Sequence, residues 1–389
     1  MTSKYLDFSE TDLLNNGGIY TAQEIQGQPE LWQKTFQAVV RQKNEISDFL
    51  SGIFEQKDLL IILTGAGTSA YIGDVLEGPF QRNTSITSKA IATTDIVTHP
   101  EIYLPEQKPV LLISFARSGN SPESVQTVKI ANSFCNNIYH FIITCNPDGE
   151  LAKHASKNNS FVFLLPPEAD DKSLAMTGSF TSMLLAGILI SKTYTMDEQL
   201  RYLKTLVNYG NTILSDYLEL MKSVSKMDFD RAVFLGSGPL RGVARESHLK
   251  LQELTDGRII CKHDSYLGFR HGPKAVVNEK TLMVYLISNS PYVQQYETDL
   301  IRAVNKSQKG IYRIALTENG LNSLDVDLRM KASCGEEAIP EAFWSVCSIL
   351  PAQIIGFFKS LNLGLKPDTP SESGTITRVV EGVNIYPYL

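Results

Sequence analysis

Short apolar runs, of which the first in each half ends on a glycine-rich turn and the next on a serine-rich one, constrain this chain more than any other feature. Leu59-Leu-Ile-Ile-Leu63, Val110-Leu-Leu-Ile113, Phe141-Ile-Ile-Thr144 and Phe161-Val-Phe-Leu-Leu165 alternate with segments of helical periodicity. A strand that is apolar on both faces has no solvent side, so it belongs in a parallel sheet covered by helices above and below. The pattern then begins again with Ala232-Val-Phe-Leu235, Leu282-Met-Val-Tyr-Leu-Ile287 and Tyr312-Arg-Ile-Ala-Leu316. In each half the first run enters a Gly-rich turn, Thr64-Gly-Ala-Gly-Thr-Ser69 and then Gly236-Ser-Gly-Pro239. In each half the next run ends on a Ser-rich turn, after Ile113 and after Ile287. The period of about 172 residues marks a duplicated βαβ domain.

The length of 389 residues agrees with two or three domains. Thr21-Ala-Gln-Glu24 has the spacing of a helix capping box, and Pro29 then interrupts the helix. Phe36, Val39, Val40, Ile46, Phe49, Leu50 and Ile53 predict one long amphipathic helix over about 30–56. Further helices are expected over 173–193 and about 197–225.

Charge and composition remove several function classes. The net charge of −6 argues against a nucleic-acid partner. The first 50 residues sum to −3, too acidic and too few for an appended DNA-binding domain. Cys135, Cys145, Cys261, Cys334 and Cys347 form no CxxC pair, which fits reduced thiols packed as small apolar groups. The start, MTSKYLDFSETD, lacks the apolar centre of a signal peptide. Apolar stretches such as Met183–Ile190 fall short of the roughly 20 residues a membrane span needs. The expectation is a soluble cytoplasmic protein with no membrane partner. His263 and His271 have no zinc-like spacing to the cysteines, so no metal and no cofactor are expected.

Two turns in the first half carry anion chemistry. Gly65, Gly67, Thr68 and Ser69 lie between a strand and a helix, where backbone N–H groups and the helix dipole favour a negative charge. The string is neither a dinucleotide fingerprint nor a Walker A loop. It also suits a tight turn with a hydroxyl cap. Ser114, Ser118, Asn120, Ser121 and Ser124 come after the next strand, with Pro122 where a helix would begin. Hydroxyls at that density suit the oxygens of a phosphate, although N-capping alone explains any one of them. Two such turns on successive strands point more firmly to a ligand at the carboxyl edge of the sheet.

A third region lies in the second half. Glu246, Lys250 and Glu253 are spaced i, i+4, i+7 and share one helix face, which is also how an ordinary solvated ion-pair face looks. His271 sits in the turn Phe269-Arg-His-Gly-Pro-Lys274, the kind of loop that carries function more often than a core does.

These residues resemble the SIS (sugar isomerase) domains, of which the isomerase half of glucosamine-6-phosphate synthase is the best known. Leu63-Thr-Gly-Ala-Gly-Thr-Ser-Ala70, Ser114-Phe-Ala-Arg-Ser-Gly-Asn-Ser-Pro-Glu-Ser124, Gly268-Phe-Arg-His-Gly-Pro-Lys274 and the tail Pro367–Thr375 are similar to the AgaS family, from about Thr21 onward. The resemblance implies two tandem SIS domains, each a parallel five-stranded sheet flanked by helices in an αβα sandwich. It also suggests boundaries: a helical segment over 1–50, domains over 51–200 and 215–365, and a tail over 366–389 covering the active site. Carried over by position, Gly65, Gly67, Thr68, Ser69, Ser114, Ser118, Asn120, Ser121 and Ser124 bind phosphate and sugar. Glu253 is the base that moves a proton between C1 and C2. His271 opens the sugar ring and comes from the neighbouring subunit of a homodimer or larger homo-oligomer. Lys250 steadies the enediolate oxygen. Relatives close the site with a tail lysine. Here Thr375 stands near that place, and Arg378 is the nearest cation and a candidate for substrate binding.

The implied reaction turns D-galactosamine 6-phosphate into D-tagatose 6-phosphate and ammonia. With a 2-hydroxy sugar the same residues would act as a ketose/aldose isomerase on tagatose 6-phosphate without deamination. SIS domains also serve as non-catalytic sugar-phosphate sensors, which should lose the carboxylate and histidine that Glu253 and His271 supply.

Overall fold

The computed structural model describes residues 4–154, 159–191, 195–380 and 382–388. The chain divides into two compact units. One holds Leu31–Asp171, Gly178–Gln199 and Ile376–Leu389; the other holds Met1–Glu30, Lys172–Thr177 and Leu200–Thr375.

The first of these contains β1 (Leu60–Thr64), β2 (Ser88–Ala90), β3 (Val110–Ala116), β4 (Ile138–Thr144) and β5 (Ser160–Leu164). They form one sheet in the order β2-β1-β3-β4-β5, and every pairing is parallel. All seven residues of β3 are buried, because it is the middle strand with helices on both faces. Around the sheet run α1 (Gln28–Arg41), α2 (Lys43–Phe54), α3 (Thr68–Thr84), α4 (Pro122–Phe134) and α5 (Gly178–Ile190). The helix α5 is buried on every side, as expected of an all-round apolar helix. Gly187 lets it lie against Leu76 of α3, since any Cβ there would collide with that side chain.

The other unit repeats the plan. After α6 (Met196–Asp216), β6 (Arg231–Leu235), β7 (Ile260–Asp264), β8 (Thr281–Leu286), β9 (Tyr312–Thr317) and β10 (Leu328–Lys331) pair in parallel. The order is β7-β6-β8-β9-β10, the same as in the first sheet. The main helices are α7 (Pro239–Leu254), α8 (Pro291–Asn305), α9 (Glu341–Cys347) and α10 (Leu350–Asn362). Tyr266, Phe269, Tyr285 and Leu300 are at or below 1% exposure in the core on one face of this sheet.

Several expectations need revision. The helix over 30–56 is two helices, α1 and α2, parted at Gln42. The expected 197–225 helix likewise stops at Asp216 and resumes as Leu218–Ser225. Thr21 does not cap a helix: it lies inside Ile19–Gln26. The N–H groups of Tyr20 and Thr21 donate instead to Asp368, at 3.2 and 2.8 Å, and the Thr21 hydroxyl donates to it at 2.7 Å. Glu24 accepts from the N–H groups of Lys172 and Ser173 rather than closing a capping box. The statement that apolar stretches fall short of membrane length also fails for Glu341–Asn362, 22 residues of mean hydropathy 1.4. Of its most apolar window 94% is buried inside the fold, so core packing accounts for its composition.

Candidate active site

In a sheet ordered 2-1-3-4-5 the chain leaves strands 1 and 3 in opposite directions, and a crevice opens between their carboxyl ends. The two hydroxyl-rich turns stand at that switch point. Thr64 and Ser114 are directly paired at the ends of β1 and β3. Gly65 is obligatory, since a Cβ there would come within 2.6–2.7 Å of Ser69. Gly67 has φ +55 and ψ −128 at the start of α3, a conformation L side chains rarely adopt, and a Cβ there would meet nothing within 4 Å. The turn is therefore tight beneath and open above. Thr68 and Ser69 are the first buried residues of α3. The Thr64 hydroxyl is buried and has no hydrogen-bond partner. Thr64 belongs to the first motif without standing out from it; its place as the last strand residue before the glycines is the signal that marks it.

The second turn is braced from behind. Gly119, at φ +66, packs on Gly149, whose own missing Cβ leaves room for the Ser118 carbonyl. Asn146 donates to that carbonyl at 2.9 Å, and Leu151 N–H donates to the Gly119 carbonyl at 3.0 Å. The Asn120 carboxamide accepts from Glu150 N–H at 2.9 Å, so its oxygen serves the loop. Ser118 Oγ accepts from Asn120 N–H at 3.3 Å. Ser121 precedes α4 without capping it through its side chain, Pro122 takes the first turn, and Ser124 is buried within it. The hydroxyls of Ser118, Ser121 and Ser124 thus gather at one helix N-terminus, where N–H groups lack intrahelical acceptors.

Arg378 has a different setting. Its guanidinium donates to Asp170 Oδ1 at 2.6 Å and to the Asp171 carbonyl at 2.6 and 2.8 Å. Asp171 in turn accepts from Gly178 and Ser179 N–H, both at 3.0 Å, closing the N-terminus of α5. Buried Arg117, next to Ser118, donates to the Arg378 carbonyl at 2.6 Å. Burial pulls the Arg117 guanidinium below its ordinary pKa, Asp171 opposes this, and Arg378 adds to it. Arg117 is a site neighbour that the motif alone does not single out; a charge between strand and serine turn is its one signal in the sequence.

The acid–base candidates belong to the other unit. On α7, Lys250 and Glu246 are 1% and 0% exposed and Glu253 is 23% exposed. Lys250 Nζ lies 3.3 Å from Glu246 and 2.6 Å from Glu253. The solvated-face alternative is therefore excluded. Burial alone would lower the lysine pKa, but Glu246 and Glu253 outweigh it and raise the pKa. Lys250 is therefore an ammonium near neutral pH, with no free lone pair to act as a base or an amine nucleophile. His271 lies on an exposed turn after the short helix Tyr266–Phe269, with Gly272 at φ +114. Two other histidines of the unit, His248 and His263, lie with ring centroids 4.6 Å apart and planes tilted by 34°. Burial holds His263 down to about 4 and also lowers His248, so both are neutral near pH 7. No group of three or more potential ligands that could hold a metal occurs among the described residues.

The SIS domain model matches residues 53–190. The D-galactosamine-6-phosphate deaminase AgaS of Shewanella sp. (strain ANA-3) is 39% identical over 98% of this chain and 95% of its own. The crystal structure of tagatose-6-phosphate ketose/aldose isomerase from Escherichia coli has a TM-score of 0.87 at 35% identity, covering 95% of this chain and 97% of that one. A crystal structure from Clostridium novyi NT reaches 0.96 at 39% identity over 100% of both chains.

Proposed function

Because the chain belongs to the AgaS family, we propose that it converts D-galactosamine 6-phosphate into D-tagatose 6-phosphate and ammonia. The hydroxyl-rich turns after β1 and β3 hold the phosphate, and Glu253, Lys250 and His271 are the groups that act at C1 and C2. Ring opening moves a proton to the ring oxygen, a task for His271, since an imidazole can both give and take a proton. Glu253 then takes the proton from C2, and the C2–H electron pair forms a C1=C2 bond as the C1 carbonyl becomes an enol oxygen. Lys250 stabilises the negative charge that builds on that oxygen. Return of the proton to C1, with one proton of the 2-ammonium group passing to the C1 oxygen, leaves a protonated imine at C2. Water adds to C2, ammonia departs, and the carbonyl of the ketose remains. A proton shuttle of this kind contributes about 10²–10⁴ in rate.

The observation that carries the reading is the Lys250 cluster. An ammonium at 1% exposure, 2.6 Å from a carboxylate that still reaches solvent, pairs a fixed positive charge with an accessible base. A phosphate sensor needs neither. The buried, unpartnered Thr64 hydroxyl supports an anion at the neighbouring turns. The exposure of His271 supports its donation to a second copy of the chain, in a homodimer or larger assembly. We place the protein in the cytoplasm, where phosphorylated sugars are made and consumed.

Ammonia release from galactosamine 6-phosphate, compared with glucosamine 6-phosphate, tests the assignment, with tagatose 6-phosphate isomerisation monitored in parallel. Release from the galacto substrate is expected. The same imine step is absent with a 2-hydroxy sugar, so isomerisation without ammonia would favour the isomerase reading named for the Escherichia coli relative. If neither reaction occurs, the proposal fails.

A further inference from the structure

The duplication extends to the turns themselves, yet the two copies are filled differently. At the start of α7, Gly238 has φ 52 and ψ −129, within a few degrees of Gly67. Gly236, like Gly65, is forced by the returning backbone, here that of Leu240. Ser288 comes after β8, and Pro291 opens α8 as Pro122 opens α4. Above Gly67 there is open space. Above Gly238 a Cβ would meet Glu341 Oε2 at 3.6 Å.

That carboxylate is the first residue of α9, and its other oxygen accepts from the Ser288 hydroxyl. A second carboxylate, Glu297 of α8, is 0% exposed and accepts from Ser288 N–H at 3.0 Å. The rest of the serine turn is also satisfied internally. Ser290 N–H donates to Ser288 Oγ at 3.1 Å, and Gln294 donates to the Ser288 carbonyl at 2.8 Å. Asn289 donates to Glu318 at 2.9 Å and to the Ile339 carbonyl at 2.8 Å.

We propose that the second half retains an anion cradle whose anion is internal, the Glu341 carboxylate backed by Glu297, so that each chain binds one phosphate group, on its first half. The chemistry is the same in both copies: hydroxyls and N–H groups at a strand end and helix start need a negative oxygen. In the second copy the chain provides it. The Glu341 carboxylate also repels an incoming phosphate, which explains how a duplicated domain keeps its fold while giving up its ligand. The inference rests on reading the first-half turns as a phosphate cradle.

Glu341→Ala removes the internal anion and leaves a vacancy beside Gly238 and Ser288. Inorganic phosphate at tens of millimolar is expected to raise the unfolding midpoint of E341A by more than it raises that of the wild type. Equilibrium dialysis should find one phosphate per wild-type chain and one more per E341A chain. Equal phosphate effects on the two proteins would overturn the proposal, as would two phosphates per wild-type chain. Should E341A fail to fold, Ser124→Asp decides: a charge in the first cradle is expected to abolish phosphate binding, and a retained equivalent would refute closure of the second. Loss of all binding by the wild type would count instead against the phosphate role of the first-half turns, and the gain in E341A would still judge the internal anion.

Discussion

Glu297→Gln isolates the electrostatic cost of closing the second cradle. Burial, with Glu341 adding repulsion, pushes the Glu297 carboxyl up from 4.5 to about 7, against the opposing hydrogen bonds of Ser237 and Ser288. Buried Tyr266 also faces it and contributes no charge near neutral pH, because burial and Glu297 hold its phenol well above its ordinary pKa. The native state therefore holds a proton that the unfolded chain has released between those two values. Stability must fall as pH rises through that window and level off above it. At about 1.4 kcal/mol per pH unit, the full effect is about 3 kcal/mol, of which about 2.5 kcal/mol lies between pH 5 and pH 8. For a unit of this size that is about 5–10 °C in the unfolding midpoint. Glutamine keeps the acceptor for Ser288 N–H and cannot ionise. The midpoints of wild type and E297Q, measured side by side from pH 5 to pH 8, cancel the titration of every other group. The variant should gain on the wild type steadily toward pH 8. Parallel curves would show that Glu297 is ionised throughout, and the electrostatic account of the second cradle would be wrong.

The first-half cradle and α7 lead to other expected outcomes. Glu253→Gln should lower ammonia release by about 10²–10⁴ while calorimetry still detects sugar-phosphate binding; lost binding would contradict its role as the proton carrier. His271→Asn and Glu253→Gln, each inactive alone, should regain about a quarter of wild-type activity when equal amounts are reassorted at random, since half of the dimers are then mixed and one of the two sites in each mixed dimer is intact. No recovery would mean that both groups act from one chain. Asp368→Ala removes the acceptor of three hydrogen bonds at the helix Ile19–Gln26 and should cost about 1–2 kcal/mol in urea unfolding, with no change in the pH profile of activity.

What was legible in the sequence is what local chemistry decides. Central parallel strands are buried on both faces, so β1, β3, β4, β6, β8 and β9 announced themselves as apolar runs. Three of the four outer strands, β2, β7 and β10, did not, because an edge strand faces solvent or loops and its burial is mixed: Ile260 at the start of β7 is exposed, and β10 alternates. The fourth, β5, does read as an apolar run, but it lies at the sheet edge and is only partly buried, so the expectation that it is covered on both faces is corrected. The glycines of both first turns were equally readable, since a positive φ at Gly67 and Gly238 and close backbone contact at Gly65 and Gly236 leave few alternatives. The spacing of Glu246, Lys250 and Glu253 placed them on one face of a helix; whether that face met water was a matter for the fold.

Tertiary structure settled the rest, through partners distant in sequence. Asp368 caps a helix 347 residues away, a link no local capping pattern could reveal. Packing around α7 strips solvent from Lys250 and leaves its charge to two carboxylates. The same turn sequence, Gly-x-Gly at a strand end, is left open in one half and closed in the other because Glu297 and Glu341 arrive from two other helices. Backbone geometry is set by residues next to one another, whereas the charge that fills a turn depends on what the fold brings to it.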